Sequence, residues 1–182
     1  MTRDDRDRWD RRYAERGPLP VEAAALPPRL QHCADVFPTA GHALDLACGA
    51  GAGSVWLAQR GLNVRGCDAS PVAIQQARDL ARRCGQIRRC RFDVHDLDAG
   101  LPSGRPVDVV LCHKFRDARL DYAVVDRLTA GGVLAICVLS EVGAAPGPFR
   151  AARGELAAAF AALQIVDHGE RDGEAWLVAR RR

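Results

Sequence analysis

Asp45-Leu46-Ala47-Cys48-Gly49-Ala50-Gly51-Ala52-Gly53-Ser54 is the stretch from which the rest of the chain is read. A short apolar approach, Ala43-Leu44, precedes it, and a helical pattern opens near Val55. That order predicts a strand ending near Ala47, a Gly-rich turn, and then a helix. Such a turn lets backbone N–H groups come close to a ligand with no Cβ in the way. Gly49 and Gly51 are the expected points of closest approach, although a tight turn with no ligand uses the same spacing. Asp45 lies inside the apolar strand end, where an unpaired carboxylate is costly, so a hydrogen-bond partner is expected. About 20 residues on, a second strand, Asn63 to Cys67, ends in Asp68, where an acid accepts both hydroxyls of a ribose. The layout indicates a nucleoside, and nicotinamide-binding folds share it.

Before this stretch, residues 3–16 mix Arg and Asp, with Trp9 and Tyr13 four apart and so on one helical face. Gly17-Pro18-Leu19-Pro20 breaks that helix. Val21 to Phe37 reads as helical with an interruption at Pro27-Pro28. After it, strands are expected near 43–47, 63–67, 89–94, 107–112 and 133–139. Helices are expected near 53–60, after the cap pair Ser70-Pro71, along Leu120, Val124 and Leu128, and over 153–161. Asp172-Gly173 joins two last strands, 164–170 and 175–180, as a hairpin. Repeated strand–helix units mean an α/β chain, a mostly parallel sheet with helices on both faces.

At 182 residues one domain with a substantial core is expected. A net charge of +3 is too small to argue for nucleic acid. Seven scattered Cys with no C-x-x-C pair speak against a disulfide framework and a zinc site, so no metal is expected. Reduced thiols suit the cytoplasm. Met1 to Arg6 has no apolar signal core, and the longest apolar run, Gly132 to Leu139, is too short to span a bilayer.

Asp-Leu-Ala-Cys-Gly-Ala-Gly resembles the first motif of the class I S-adenosylmethionine (SAM)-dependent methyltransferases. The dehydrogenase fingerprint G-x-G-x-x-G is absent, because Gly49, Gly51 and Gly53 alternate; the family's usual first glycine is Ala47 here. The resemblance runs on through Asp68, Asp96 and Gly131-Gly132. It implies a Rossmann-like three-layer sandwich with seven strands in the order 3-2-1-4-5-7-6. It also implies SAM as cofactor, released as S-adenosylhomocysteine. The ligand then lies beyond the carboxyl ends of the strands. On that reading Asp45, Ala47, Cys48, Gly49, Ala50 and Gly51 surround the methionine part, and Asp68 with Ala69 takes the ribose. Asp96 takes the adenine amino group with Leu97 beside the ring, and Asp93 and Asp98 compete for the Asp96 role. His113 falls next to the sulfonium, as a catalytic base for a hydroxyl acceptor or as a residue that only packs there.

Trp9-x-x-Arg12-Tyr13 is similar to the W-x-x-R-Y opening of small bacterial methyltransferases related to tellurite-resistance and thiopurine methyltransferases. In that group the N-terminal segment covers the active site. The resemblance implies that residues 1–38 form a helical lid over a SAM-binding domain of residues 39–182, with Trp9, Arg12 and Tyr13 at the cofactor. Arg12 is expected on the SAM carboxylate. Ala130 replaces the usual Pro before Gly-Gly, and the segment after strand four is short, so the acceptor stays open. The expected function is methyl transfer to a small molecule, a soft S, Se, Te or N nucleophile, with no nucleic-acid or membrane partner. The rivals are a SAM-binding regulatory or scaffold protein without catalysis, and a methyltransferase acting on a macromolecule.

Overall fold

The computed structural model describes residues 3–145 and 150–182. The strands are β1 (His42–Leu46), β2 (Asn63–Asp68), β3 (Cys90–Val94), β4 (Val107–His113) and β5 (Leu128–Ser140). They continue as β6 (Arg150–Ala151), β7 (Gln164–Arg171) and β8 (Glu174–Arg180). The α-helices are α1 (Arg3–Arg16), α2 (Ala52–Gln59), α3 (Pro71–Arg83), α4 (Asp121–Arg127) and α5 (Glu155–Ala159). The sheet runs β3-β2-β1-β4-β5-β8-β7, with the two-residue β6 beside β5. Pairing is parallel from β3 to β5, and β8 is antiparallel to both β5 and β7. The expected seven-strand order therefore holds, with β6 as an addition.

Alternation along the central strands feeds two apolar cores. Ala43, Val109, Leu111 and Val133 meet the α2 and α3 side through Val55, Leu57, Ile74 and Ala77. Leu44, Leu46, Val110 and Cys112 meet the α4 and α5 side through Val124, Leu156 and Phe160. Strands buried on both faces read as continuous apolar runs, which is why β4 is so legible. Ser70 caps α3 as expected: its Oγ accepts the Ala73 N–H at 3.1 Å, and Pro71 follows at the first helical position.

Three local expectations are corrected. Residues 21–37 form two 3-10 stretches, Val21–Ala23 and Pro28–Val36, because adjacent prolines remove backbone donors and bar an α-turn. They still send Leu26, Leu30, Cys33 and Phe37 into the core. Leu128 opens β5 and does not continue the α4 stripe. The Ala-rich helix keeps only Glu155–Ala159, since Gly154 at φ +74° cannot lie inside a helix. Part of the expected Gly- and Pro-rich loop, residues 146–149, lies outside the described residues.

Parallel register aligns the carboxyl ends. Leu46 stands level with Cys67 of β2 and Cys112 of β4. The residues next along, Ala47, Asp68 and His113, therefore share one rim of the sheet.

Candidate active site

Backbone geometry makes the Gly-rich turn. Ala47, Gly49 and Gly51 have φ of +50°, +54° and +85°. Ala47 thus holds a left-handed conformation where the resembled motif has glycine, at a cost of about 1 kcal/mol. The Cys48 N–H donates to Cys67 O at 2.9 Å, and the Gly51 N–H donates to Cys48 O at 3.0 Å, so the turn is tied to β2. A Cβ on Gly51 would lie 2.8 Å from the Ala77 Cβ, so close packing on α3 accounts for that glycine. A Cβ on Gly49 would lie 2.7 Å from the Tyr13 hydroxyl. The bare face of Gly49 therefore looks out of the fold, toward α1.

The two acids are braced in different ways. Asp45 is buried and accepts the Ser54 hydroxyl at 2.6 Å, the partner its position demands. Burial pushes its carboxyl up to about 7, against the lowering effect of that bond. Asp68 accepts the Gly49 N–H on Oδ2 and the Ser70 N–H on Oδ1, both at 2.9 Å. Burial also raises its carboxyl, and these two bonds oppose the rise. A carboxylate with one backbone partner per oxygen keeps further lone pairs for a ligand. Ala69 beside it is half-buried, Ala50 is buried, and burial keeps the half-buried Cys48 thiol protonated.

Helix α1 crosses this rim. Asp10 accepts the Ser70 hydroxyl, and the Tyr13 carbonyl accepts the Gln76 amide at 2.9 Å. Arg6 reaches Asp96 at 3.9 Å. Burial and then the Asp68 charge raise the Tyr13 hydroxyl, which stays protonated. Trp9 packs on Tyr13 with ring centroids 6.3 Å apart. Arg12 lies over the Trp9 ring at 5.2 Å and is otherwise exposed. The half-buried residues of α1 are thus Trp9, Asp10 and Tyr13, with the exposed Arg6 reaching across to Asp96. Trp9 and Tyr13 were picked out from sequence; Asp10 was not, although its spacing of three from Tyr13 was there to read. Ser70 was read as a cap alone, and Gln76 carried no signal. The Gln76 Oε1 is the one buried side-chain polar atom without a partner among the described residues.

The three acids in and just after β3 separate clearly. Asp93 takes Arg65 at 2.7 Å and Arg91 at 3.3 Å, which holds its carboxyl below the usual range despite some burial. Asp98 takes Arg119 at 3.0 Å. Asp96 faces α1 through Arg6, and Leu97 beside it is buried.

His113 ends β4, half-buried. Burial and the neighbouring Lys114 push its imidazole down to about 4, with Glu174 opposing. One nitrogen or oxygen or sulfur atom each of His113, Cys137 and Glu174 lies within 4.8 Å of the others. The donor set resembles a zinc site. Burial pushes the Cys137 thiol up to about 12, and Arg29 already holds Glu174 at 3.0 Å, so the trio serves better as a neutral polar wall. Sequence reading missed Glu174 and Arg29, which reach this wall from distant elements. A second such trio, His32, Cys33 and Asp167, is tied up by Asp167 accepting His32 at 2.9 Å and the Trp176 indole at 2.8 Å.

The Asp45 assignment has a pH consequence. A carboxyl raised from 3.8 to about 7 binds a proton in the folded chain that the unfolded chain has lost, so its contribution falls as pH rises through that window. His113, pushed down to about 4, acts in the opposite sense between 4 and its ordinary value. The two offset each other in the parent protein, so the difference from Asp45→Asn is informative. This variant keeps an acceptor for Ser54, and its gain in stability over the parent is expected to be of order 2 kcal/mol larger at pH 8 than at pH 5, read from melting curves at the two pH values. An equal effect at both pH values would show that Asp45 is ionised throughout.

Comparison with known proteins agrees with this geometry. Residues 43–129 match the family of the methyltransferase domain. A curated 2-heptyl-1-hydroxyquinolin-4(1H)-one methyltransferase of Mycobacteroides abscessus is 33% identical over 105 residues. Those residues are 53% of this chain and 45% of that protein, so the chain spans under half the length of the curated relative it matches. TehB from Haemophilus influenzae superposes with a TM-score of 0.75 at 18% identity, over 87% of this chain and 63% of that one. Magnesium protoporphyrin IX methyltransferase from Synechocystis, crystallised with SAM, superposes with a TM-score of 0.62 at 20% identity, over 85% and 75%. With the Gly-rich turn, the braced Asp68 and this sheet order in place, the chain has the fold of the class I SAM-dependent methyltransferases, and residues 43–129 match the methyltransferase domain family.

Proposed function

We propose that this chain is an enzyme that transfers a methyl group from SAM to a small-molecule acceptor. The observation that carries the reading is Asp68, held by Gly49 and Ser70 at the mouth of the Gly-rich turn with lone pairs to spare. The residues fit the cofactor. A carboxylate suited to a ribose diol, a Gly-rich turn with no Cβ at Gly49, and Asp96 with Leu97 just after β3 follow the carboxyl ends of β1, β2 and β3. When bound, SAM supplies a sulfonium methyl to the acceptor's lone pair and leaves as S-adenosylhomocysteine. Gly49 and its neighbours would seat the methionine part, and Asp68 would accept the ribose hydroxyls. Residues 1–38 would act as the lid, with Trp9 and Tyr13 excluding water and Arg12 swinging from Trp9 to the carboxylate.

His113 is neutral above about pH 4, which makes it a weak base and a good hydrogen-bonding wall. An acceptor that is already nucleophilic, an S, Se, Te or N centre, would need no base at this position. The quinolone substrate named for the curated relative supports a small molecule over a macromolecule. No helix among the described residues is long and apolar enough to cross a membrane, and the seven free cysteines support a cytoplasmic site of action.

SAM or S-adenosylhomocysteine is expected to raise the melting temperature by mass action, and NAD is not. A thermal-shift titration that answers to NAD and ignores SAM defeats the proposal. SAM binding with no S-adenosylhomocysteine formed on thiol, selenide, tellurite or amine acceptors would favour the scaffold reading.

A further inference from the structure

The amino-terminal edge of the sheet carries a cavity of about 430 Å³, at the end opposite the Gly-rich turn. It opens between the first residues of β1, β2, β3 and β4, among them His42, Asn63, Cys90 and Val107. Its lining includes six arginines, Arg65, Arg88, Arg89, Arg91, Arg105 and Arg127, and no Asp or Glu. We propose that this cavity is a second ligand site, for a small compound carrying two or more phosphate groups.

Abundance of arginine in the chain does not by itself produce such a cluster. Several arginines elsewhere are neutralised by acids, while Arg60, Arg78, Arg150 and Arg180 stand singly on backbone carbonyls. Arg116 takes Asp121 and Glu155, Arg119 takes Asp117 and Asp98, and Arg29 takes Asp172 and Glu174. At the cavity, Arg65 and Arg91 share the single carboxylate of Asp93. Arg89 bonds to Gly61 O at 3.0 Å, and Arg105 lies against the His42 ring, so neither is neutralised. One edge thus gathers more positive charge than the +3 of the entire chain.

The geometry converges. Arg65 is fixed by Asp93 and by Ser103 O, at 2.7 and 2.5 Å. The position a Cβ would take on Gly104 lies 3.7 Å from Nη1 of Arg65 and also from Nη1 of Arg127. A residue without a side chain therefore leaves open the space between two guanidinium groups that come from β2 and α4. Guanidinium forks match phosphate oxygens in pairs, and several forks in one hollow need several phosphates. The cavity size suits one small molecule. A nucleic acid would use a long basic stripe, which this concave site is not.

The full-length protein is titrated with inorganic tripolyphosphate by calorimetry in about 150 mM salt, where weak surface attraction is screened. One saturable site is expected, at least about tenfold tighter than for orthophosphate. The variant Arg105→Ala/Arg127→Ala, checked for an unchanged melting temperature, is expected to lose at least about tenfold in affinity and to bind SAM as the parent does. Arg88→Ala alone, at an exposed position, gives a second reading should the double variant misfold. Arg153→Ala, away from the cavity, is expected to change nothing. Absence of saturable binding overturns the proposal, as does equal weakening by Arg153→Ala. Binding to an RNA duplex that grows with its length and ignores the cavity variants overturns it in favour of a diffuse basic surface.

Discussion

Asp68→Ala is expected to weaken SAM binding by about 2–4 kcal/mol, the worth of a charged acceptor lost from two hydroxyls. Isothermal calorimetry on the folded variant reads this directly. The structure adds a second consequence. Removing the carboxylate leaves the buried Gly49 and Ser70 N–H groups without their acceptor, so the unliganded variant also melts earlier. Asp68→Asn separates the effects, because an amide oxygen restores one of those bonds while the charge stays lost. Affinity should fall for both variants, and the stability loss should be smaller for Asn. Asp96→Ala is expected to do less to affinity, since on the proposed reading the adenine would also pack on the buried Leu97. Unchanged SAM affinity in a folded Asp68→Ala protein would move the ribose site elsewhere.

Deleting residues 1–20 is expected to leave a folded core with weaker SAM binding and no turnover. Helix α1 is polar on most of its surface, and Trp9, Asp10 and Tyr13 are only half-buried. Few apolar contacts hold it, which gives it a low opening free energy. What holds it closed is the bond from Ser70 to Asp10, the bond from Gln76 to the Tyr13 carbonyl, and the Tyr13 hydroxyl over Gly49. Two of these partners, Ser70 and Gly49, lie at the proposed cofactor rim. Hydrogen exchange across residues 5–16 should therefore slow when SAM is present. The core begins at Leu26 and Leu30, beyond the deletion, so loss of folding is not expected. A truncated protein that binds SAM as tightly as the whole chain and keeps its activity would reduce α1 to a leader.

The central strands were legible because local rules govern them, while their order came from the family resemblance alone. A strand buried on both faces is nearly all apolar, and β4 is so from Val109 to Cys112. A cap such as Ser70 needs only the residues that follow it. The boundaries failed where chain geometry overrode composition. Adjacent prolines turned residues 21–37 into 3-10 stretches, and Gly154 cut short an Ala-rich helix. The cofactor rim was half legible, through residue types that sit next to one another in the chain.

By itself the sequence determined the strand–turn–helix at Asp45 to Ser54, the acid that ends β2, the helical pairing of Trp9 with Tyr13, and through its resemblance the strand order. Each depends on neighbours within a few residues, or on a motif whose spacing is local. Tertiary structure alone decided that Ser54 satisfies Asp45 and that the Tyr13 hydroxyl lies over Gly49. It alone put His113 beside Cys137 and Glu174, and gathered arginines from β2, β3, α4 and the intervening loops around one cavity. Those meetings depend on the register of successive crossovers. A shift of one residue in any of them turns a side chain to the opposite face of the sheet, and no local pattern records which register is taken.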